Sequence, residues 1–344
     1  MKSRNLTCLA AIMFAVLEIS IQLAFCDSAG TADNPGRIAF LMGPDVYSMR
    51  PDGSEVKQLT TLGSQNIIAT YQSWSFDGKQ IVFVQIPPNA PAQLWLMNYD
   101  GTNQHQVFSD GNFQDWAPSF APDGKRLIFT RCQPTWPAPL TSCAIYRVNI
   151  DGTGLQAITH FSPVVNEWEA NYSPDGKTIS FEAFELEGIL AAVYFMNPDG
   201  TSRHRITNPA PCAIDSNWSP TGTKIAVWTR ECNPQTNQIW MMNPDGNDIR
   251  RLTNTQLPIA NFNPTWSPDG SRIAFERDNF SKGTSAIFVI NADGNEPRQI
   301  LEIPIPTDRS SLGRGIAGRK AAAQHFPKQI EQGGLFPKWG LPPQ

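Results

Sequence analysis

Histidine is scarce in this chain: four in 344 residues, with a charged fraction of only 17%. Histidine is the commonest metal ligand and a frequent acid–base group. Here His105, His160, His204 and His325 are scattered without clustering, which disfavours a histidine-built metal centre. The formal net charge of −4 removes the basic footprint that nucleic-acid binding requires. Beyond the N-terminal segment no apolar run is long enough to cross a bilayer as a helix, and no heptad pattern marks a coiled coil. There is no Gly-x-Ser-x-Gly elbow, phosphate loop or Cys–His nucleophile pair.

Cysteine is also sparse, with six residues. Lys2 and Arg4 precede an apolar stretch from Leu6 to Leu17, which reads as an export signal over residues 1–26. Leu23-Ala24-Phe25-Cys26 touches a lipoprotein box, but the bulky Phe25 argues against anchoring at Cys26. Export implies a periplasmic or secreted protein and an oxidising compartment, where thiols pair. Cys132 ends one predicted strand and Cys143 begins the next, so a hairpin sets them side by side; Cys212 and Cys232 sit at the ends of another antiparallel pair. The expected disulfides are Cys132–Cys143 and Cys212–Cys232, the alternative being four buried thiols.

What the chain does have is repetition. Six apolar strand patterns end in Asp-Gly, from DVYSMRPDG (Asp45–Gly53) to AIFVINADG (Ala286–Gly294). The glycines at 53, 101, 152, 200, 246 and 294 are 48, 51, 48, 46 and 48 residues apart. Between them runs a second motif, such as SFAPDGKRLIFT (Ser119–Thr130) and TWSPDGSRIAFE (Thr265–Glu276). Asp-Gly between alternating apolar runs is a strong hairpin signal, and Pro and Gly preset the dihedrals of tight turns. Each repeat therefore predicts four antiparallel strands, whose two apolar faces are buried only by radial stacking. The expected fold is all-β, a six-bladed β-propeller of four-stranded antiparallel blades over residues 33–303, and monomeric.

One strand is missing from this pattern. The first repeat enters at PGRIAFLM (Pro35–Met42), the equivalent of a second strand. Within the tail, residues 304–344, LFPKWGLP (Leu335–Pro342) resembles FNPTWSP (Phe262–Pro268) at its Pro-x-Trp core. A strand near 335–341 would then close the ring, with Leu335 at the place of Phe262 and Trp339 at that of Trp266. The alternative is a loose tail and an imperfectly closed ring.

The repeated Trp-Ser-Pro-Asp-Gly and Ile-Trp-x-Met-Asn-Pro-Asp-Gly motifs resemble those of TolB-type, WD-repeat-like propellers over residues 35–303. That resemblance implies a periplasmic protein that works by binding partners. It departs from TolB in lacking the N-terminal α/β domain, so a stand-alone propeller is expected. Similar repeats occur in propellers that cap prolyl peptidases and in oligogalacturonate lyases.

Candidate functional residues come from the start of each inner strand. Five and three residues before its closing aromatic stand Ala69/Tyr71, Asp115/Ala117, Glu167/Glu169, Ala213/Asp215 and Asn261/Asn263. Strand alternation places these around one channel mouth and packs Thr70, Trp116, Trp168, Ile214 and Phe262 between blades. Asp115, Glu167, Glu169, Asp215 and Asn261 thus form a candidate binding ring, suited to Ca²⁺ or a cationic peptide through oxygen ligation; the competing reading is solvated loop acids. On the binding view, replacing Asp115 and Glu167 by alanine would weaken Ca²⁺ or partner affinity and leave thermal stability nearly unchanged. Trp136, in the Pro-rich insert CQPTWPAPLTSC, is a candidate binding anchor. The turn aspartates are explained by turn chemistry. The leading functional expectation is a non-catalytic module that holds a protein or glycan partner, without nucleic acid or a transmembrane span; the alternative is a polysaccharide lyase or hydrolase at the channel mouth.

Overall fold

The computed structural model describes residues 36–133, 142–185, 191–207, 212–230, 237–304 and 338–340. Within these the chain forms six four-stranded antiparallel sheets, the blades of a propeller. From the inner to the outer strand, blade 2 is Ile68–Trp74, Gln80–Ile86, Gln93–Asn98 and His105–Gln106. Blade 3 is Gln114–Phe120, Arg126–Cys132, Cys143–Asn149 and Gln156–Ala157, and blade 4 is Val165–Tyr172, Ile179–Glu185, Ala191–Met196 and His204–Arg205. Blade 5 is Cys212–Trp218, Ile225–Arg230, Asn237–Met242 and Arg250–Arg251, and blade 6 is Ile259–Trp266, Arg272–Asn279, Thr284–Asn291 and Arg298–Pro304.

Blade 1 combines the two ends of the chain. Its second to fourth strands are Arg37–Met42, Asp45–Met49 and Lys57–Gln58, and its inner strand is Lys338–Gly340. The register pairs Trp339 with Ile38, as Trp266 pairs with Ile273 in blade 6. Trp339 therefore takes the place of Trp266. The strand Lys338–Gly340 touches the inner strands of both blade 6 and blade 2, completing the ring. Leu335 lies outside the described residues.

The turns do more than reverse the chain. In each Asp-Gly turn between third and fourth strands the aspartate accepts the N–H two residues on, as Asp52 does from Ser54 and Asp151 from Thr153 (both 2.9 Å). Hydrogen bonds from Ser54, Thr102, Thr153 and Thr201 hold Asp52, Asp100, Asp151 and Asp199 below the usual carboxylate range. The glycine has a second role. A Cβ on Gly152 would lie 2.2 Å from the carbonyl oxygen of Val107, and one on Gly200 would lie 2.4 Å from that of Ile158. Gly53 likewise abuts the Ile300 carbonyl at 2.3 Å, which joins blade 1 to blade 6. Each of these turns is seated against the end of the preceding blade.

The blade faces fill with the repeated aromatics and β-branched residues. Phe83, Phe129, Phe181 and Phe275 occupy equivalent positions on second strands, and none is exposed. Replacing Gly152 (φ 82°) by alanine combines a left-handed penalty of roughly 1–2 kcal/mol with a backbone clash. Gly124 (φ 65°) has nothing within 4 Å of its would-be Cβ. Urea melts should show Gly152→Ala losing clearly more stability than Gly124→Ala; equal losses would remove the inter-blade contact from the account.

Candidate functional site

The inner strands do not alternate cleanly. Each of the five from blades 2 to 6 carries a register shift three residues before its aromatic, between Thr70/Ser73, Trp116/Ser119, Trp168/Asn171, Ile214/Asn217 and Phe262/Thr265. At that bulge Tyr71, Ala117, Glu169, Asp215 and Asn263 all adopt left-handed backbone, with φ between 48° and 55°. Such strain in non-glycine residues often marks a functional site. Here it recurs whatever the side chain, alanine and tyrosine included, so it belongs to the architecture. The bulge turns a backbone N–H away from its own ladder, and the preceding blade takes it up. Thr130 accepts from Glu169 N–H at 3.1 Å, and Glu182 accepts from Asp215 N–H.

The candidate acids lie inside the protein. Asp115, Glu167, Glu169 and Asp215 are each at most 5% exposed, and Asn261 is fully buried. Arg131, directly across the sheet from Asp115, reaches it with Nε at 2.7 Å from Oδ1 and Nη2 at 2.9 Å from Oδ2. Its third nitrogen, Nη1, donates to Asp110 at 2.7 Å. The guanidinium lies among the rings of Phe113, Phe108, Tyr146 and Phe129, 4.9 to 5.6 Å from their centroids. Burial pushes the Asp115 carboxyl up to about 6 against the opposing pull of Arg131. Burial also works against the charge on Arg131, but its two carboxylates outweigh that and raise it.

Two further blades repeat this device. Arg203 pairs with Glu167 and stacks on Phe181 and Tyr194, its guanidinium carbon 5.1 Å from each centroid. Arg277 donates to Asn261 at 2.8 Å and stacks on Phe288 and Phe275. Two acids of the expected ring, Asp115 and Glu167, are therefore paired with arginines of the same blade. Solvated loop acids were the competing expectation, and the burial of the four candidate carboxylates does not match it. The difference arises because the arginines are 16 residues further along the chain or more: strand register sets Arg131 and Arg277 opposite Asp115 and Asn261, and Arg203 reaches Glu167 from the turn before the outer strand.

Sequence reasoning also passed over a second set of acids, one residue beyond the second-strand phenylalanine. Glu182 and Glu276 occupy that position, where blades 2, 3 and 5 have Val84, Thr130 and Trp228. That mismatch with the repeat was the available signal. Burial pushes Glu182 up to about 7, opposed by hydrogen bonds from Glu169 and the Asp215 N–H. Burial likewise pushes Asp278 up to about 6, opposed by Ser285 and Glu276. Glu169–Glu182 and Glu276–Asp278 are thus neighbouring carboxyls of which burial raises one member, Glu182 and Asp278. Raised carboxyls are used in acid–base catalysis, but all four side chains are at most 6% exposed.

Among the described residues no three His, Cys, Asp or Glu side chains are placed to hold a metal ion. His105 and His204 are exposed on outer strands, with Nδ1 against backbone oxygens of Asn103 and Ser202. Cys132 and Cys143 form a disulfide. Trp136 and Cys232 lie outside the described residues, so the anchor and the second disulfide do too. No described helix is long and apolar enough to cross a membrane.

Residues 140–304 match the family model of the TolB beta propeller domain. No curated protein sequence matches the chain. Among solved structures, TolB from Acinetobacter baumannii is similar at 20% identity and a TM-score of 0.67, covering 90% of this chain and 67% of that one. A structure described as TolB from Agrobacterium tumefaciens is similar at 16% identity and a TM-score of 0.61, covering 92% of this chain and 100% of that one. Oligogalacturonate lyase from Vibrio parahaemolyticus gives 16% identity and a TM-score of 0.54, covering 83% and 78%. At these identities the structural likeness speaks for the fold.

Removing Asp115 takes both acceptors from Nε and Nη2 of an arginine whose side chain is 3% exposed, leaving it Asp110 alone. Asp115→Ala is therefore expected to destabilise by about 3–5 kcal/mol, in place of the near-neutral effect that a solvated acid would show. Equilibrium urea unfolding measures this; a loss below about 1 kcal/mol, typical of a surface pair, would contradict it.

Proposed function

Taking the chain as a TolB-like β-propeller, we propose that it is an exported, non-catalytic binding module. In this reading it works in the periplasm or extracellular space and holds a protein or glycan partner on the face where the inner strands begin. The Cys132–Cys143 disulfide is the observation that carries the reading. Cys132 pairs across the sheet with both Gln114, the first residue of its inner strand, and Cys143. The disulfide therefore staples the base of a long insert at the channel-mouth end of blade 3. A constrained loop on a rigid scaffold loses little entropy on binding. The disulfide also suits the oxidising compartment to which the N-terminal signal pattern would lead.

Calcium at Asp115 and Glu167 is not part of this proposal, because Arg131 and Arg203 already engage those carboxylates. A second reading, catalysis at the mouth, draws on the neighbouring carboxyls Glu169 and Glu182 beside Asp215. It would need those side chains to become accessible, whereas Glu182 is 2% exposed. The binding reading is favoured on that ground.

Immobilised protein exposed to envelope extract is expected to retain a discrete partner. Retention should fall when Cys132 and Cys143 are both replaced by serine. Turnover of a polysaccharide panel with no partner retained would favour the enzyme reading instead.

A further inference from the structure

Blades 3 and 6 contain the same arginine at the same register, with different neighbours. Arg131 lies opposite Asp115, and Arg277 lies opposite Asn261, each on a second strand two residues after the blade phenylalanine. In blade 3 the guanidinium is saturated: Asp115 takes Nε and Nη2, and Asp110 takes Nη1. In blade 6 asparagine stands where the aspartate would be. Its Oδ1 accepts from Arg277 Nε at 2.8 Å, an orientation set by its Nδ2 donating to Thr255 Oγ1 at 2.6 Å. Among the described residues Arg277 has no carboxylate within ion-pair distance, and neither Nη1 nor Nη2 has a hydrogen-bond partner.

This cation is not a loosely solvated surface charge. Its guanidinium carbon lies 4.1 Å from the Phe288 centroid and 5.3 Å from that of Phe275, so the fork is held against two rings. Burial alone accounts for its lowered proton affinity, with no nearby acid to offset it. Glu276 and Asp278 are adjacent in sequence, but strand alternation sends them to the opposite face of the blade. Arginine remains charged at any physiological pH, so a half-buried fork is left with two outward nitrogens uncompensated. The side chain keeps partial solvent access, unlike that of Arg131.

We propose that Arg277 is a carboxylate-binding site, in which a ligand carboxylate bridges Nη1 and Nη2. The template is internal: Asp110 and Asp115 already show carboxylates saturating the same guanidinium in blade 3. A planar carboxylate matches the two parallel N–H donors that Asn261 leaves open. The site stands at the end of blade 6 where its inner strand begins, on the face assigned above to the partner. It does not depend on that assignment. The carboxylate comes either from a small free acid or from an acidic side chain of a peptide.

Arginine Nε–Hε resonances of the ¹⁵N-labelled full chain, titrated with acetate against chloride at equal ionic strength, test this. One resonance, identified by its loss in Arg277→Gln, should shift saturably with acetate and not with chloride. Asn261→Asp supplies the carboxylate internally, as Asp115 does, and should abolish the response with the fold intact. A capped glutamate peptide binding more tightly than acetate, and more tightly than its glutamine counterpart, identifies a peptidic source. Equal affinities for peptide and acetate identify a free acid. A response confined to sulfate, no saturation, or a response surviving in Asn261→Asp would overturn the assignment.

Discussion

A blade with apolar residues on both faces needs a neighbour at a fixed distance, and the turn glycines set that distance. Gly152 and Gly200 bring the backbone of one blade onto a carbonyl of the blade before it, and Gly53 does the same across the seam to Ile300. The position imposes two demands at once, a positive φ and an absent Cβ, and only glycine meets both without strain. Because this contact recurs around the ring, the inner strands fall into equivalent positions. The Cys132–Cys143 disulfide lies at the opposite ends of the strands.

Inside that frame the molecule handles charge in one recurring way. Guanidinium groups lie flat on the aromatic residues of blades 3, 4 and 6 and reach back to the start of an inner strand. Buried charge is tolerable only when paired and hydrogen-bonded, and blades 3 and 4 comply with Asp115 and Glu167. Blade 6 has the aromatic seat and the arginine but an amide partner. Burial raises Glu182 and Asp278 among the acids that remain. Blades 3 and 4 thus meet their buried charge from within, and on the proposed function partner contacts fall to the features that depart from the repeat.

The sequence made the turns, the blade count and the closing strand legible, because each rests on local chemistry repeated at a fixed period. The place of Trp339 as the counterpart of Trp266 followed from the shared Pro-x-Trp core, and its pairing with Ile38 came from the structure. The site was less legible, for two physical reasons. The bulge at Tyr71, Ala117, Glu169, Asp215 and Asn263 has no residue preference, so strand alternation ran straight through it. The partners of Asp115 and Glu167 depend on cross-strand register and side-chain reach, which spacing alone does not show. Glu182 and Glu276 were visible only as departures from the apolar consensus at their position.

Closure of the ring by the C-terminal strand is the claim that most directly joins sequence to architecture. Without Lys338–Gly340 the strand Arg37–Met42 becomes an exposed edge, and blades 2 and 6 lose the strand they both touch. Thermal unfolding of the full chain should be compared with that of a chain ending at residue 334. The account requires a markedly lower Tm on truncation, with faster amide exchange in Arg37–Met42 at the residues whose N–H groups face Lys338–Gly340. An unchanged Tm with unchanged protection of those amides would contradict it.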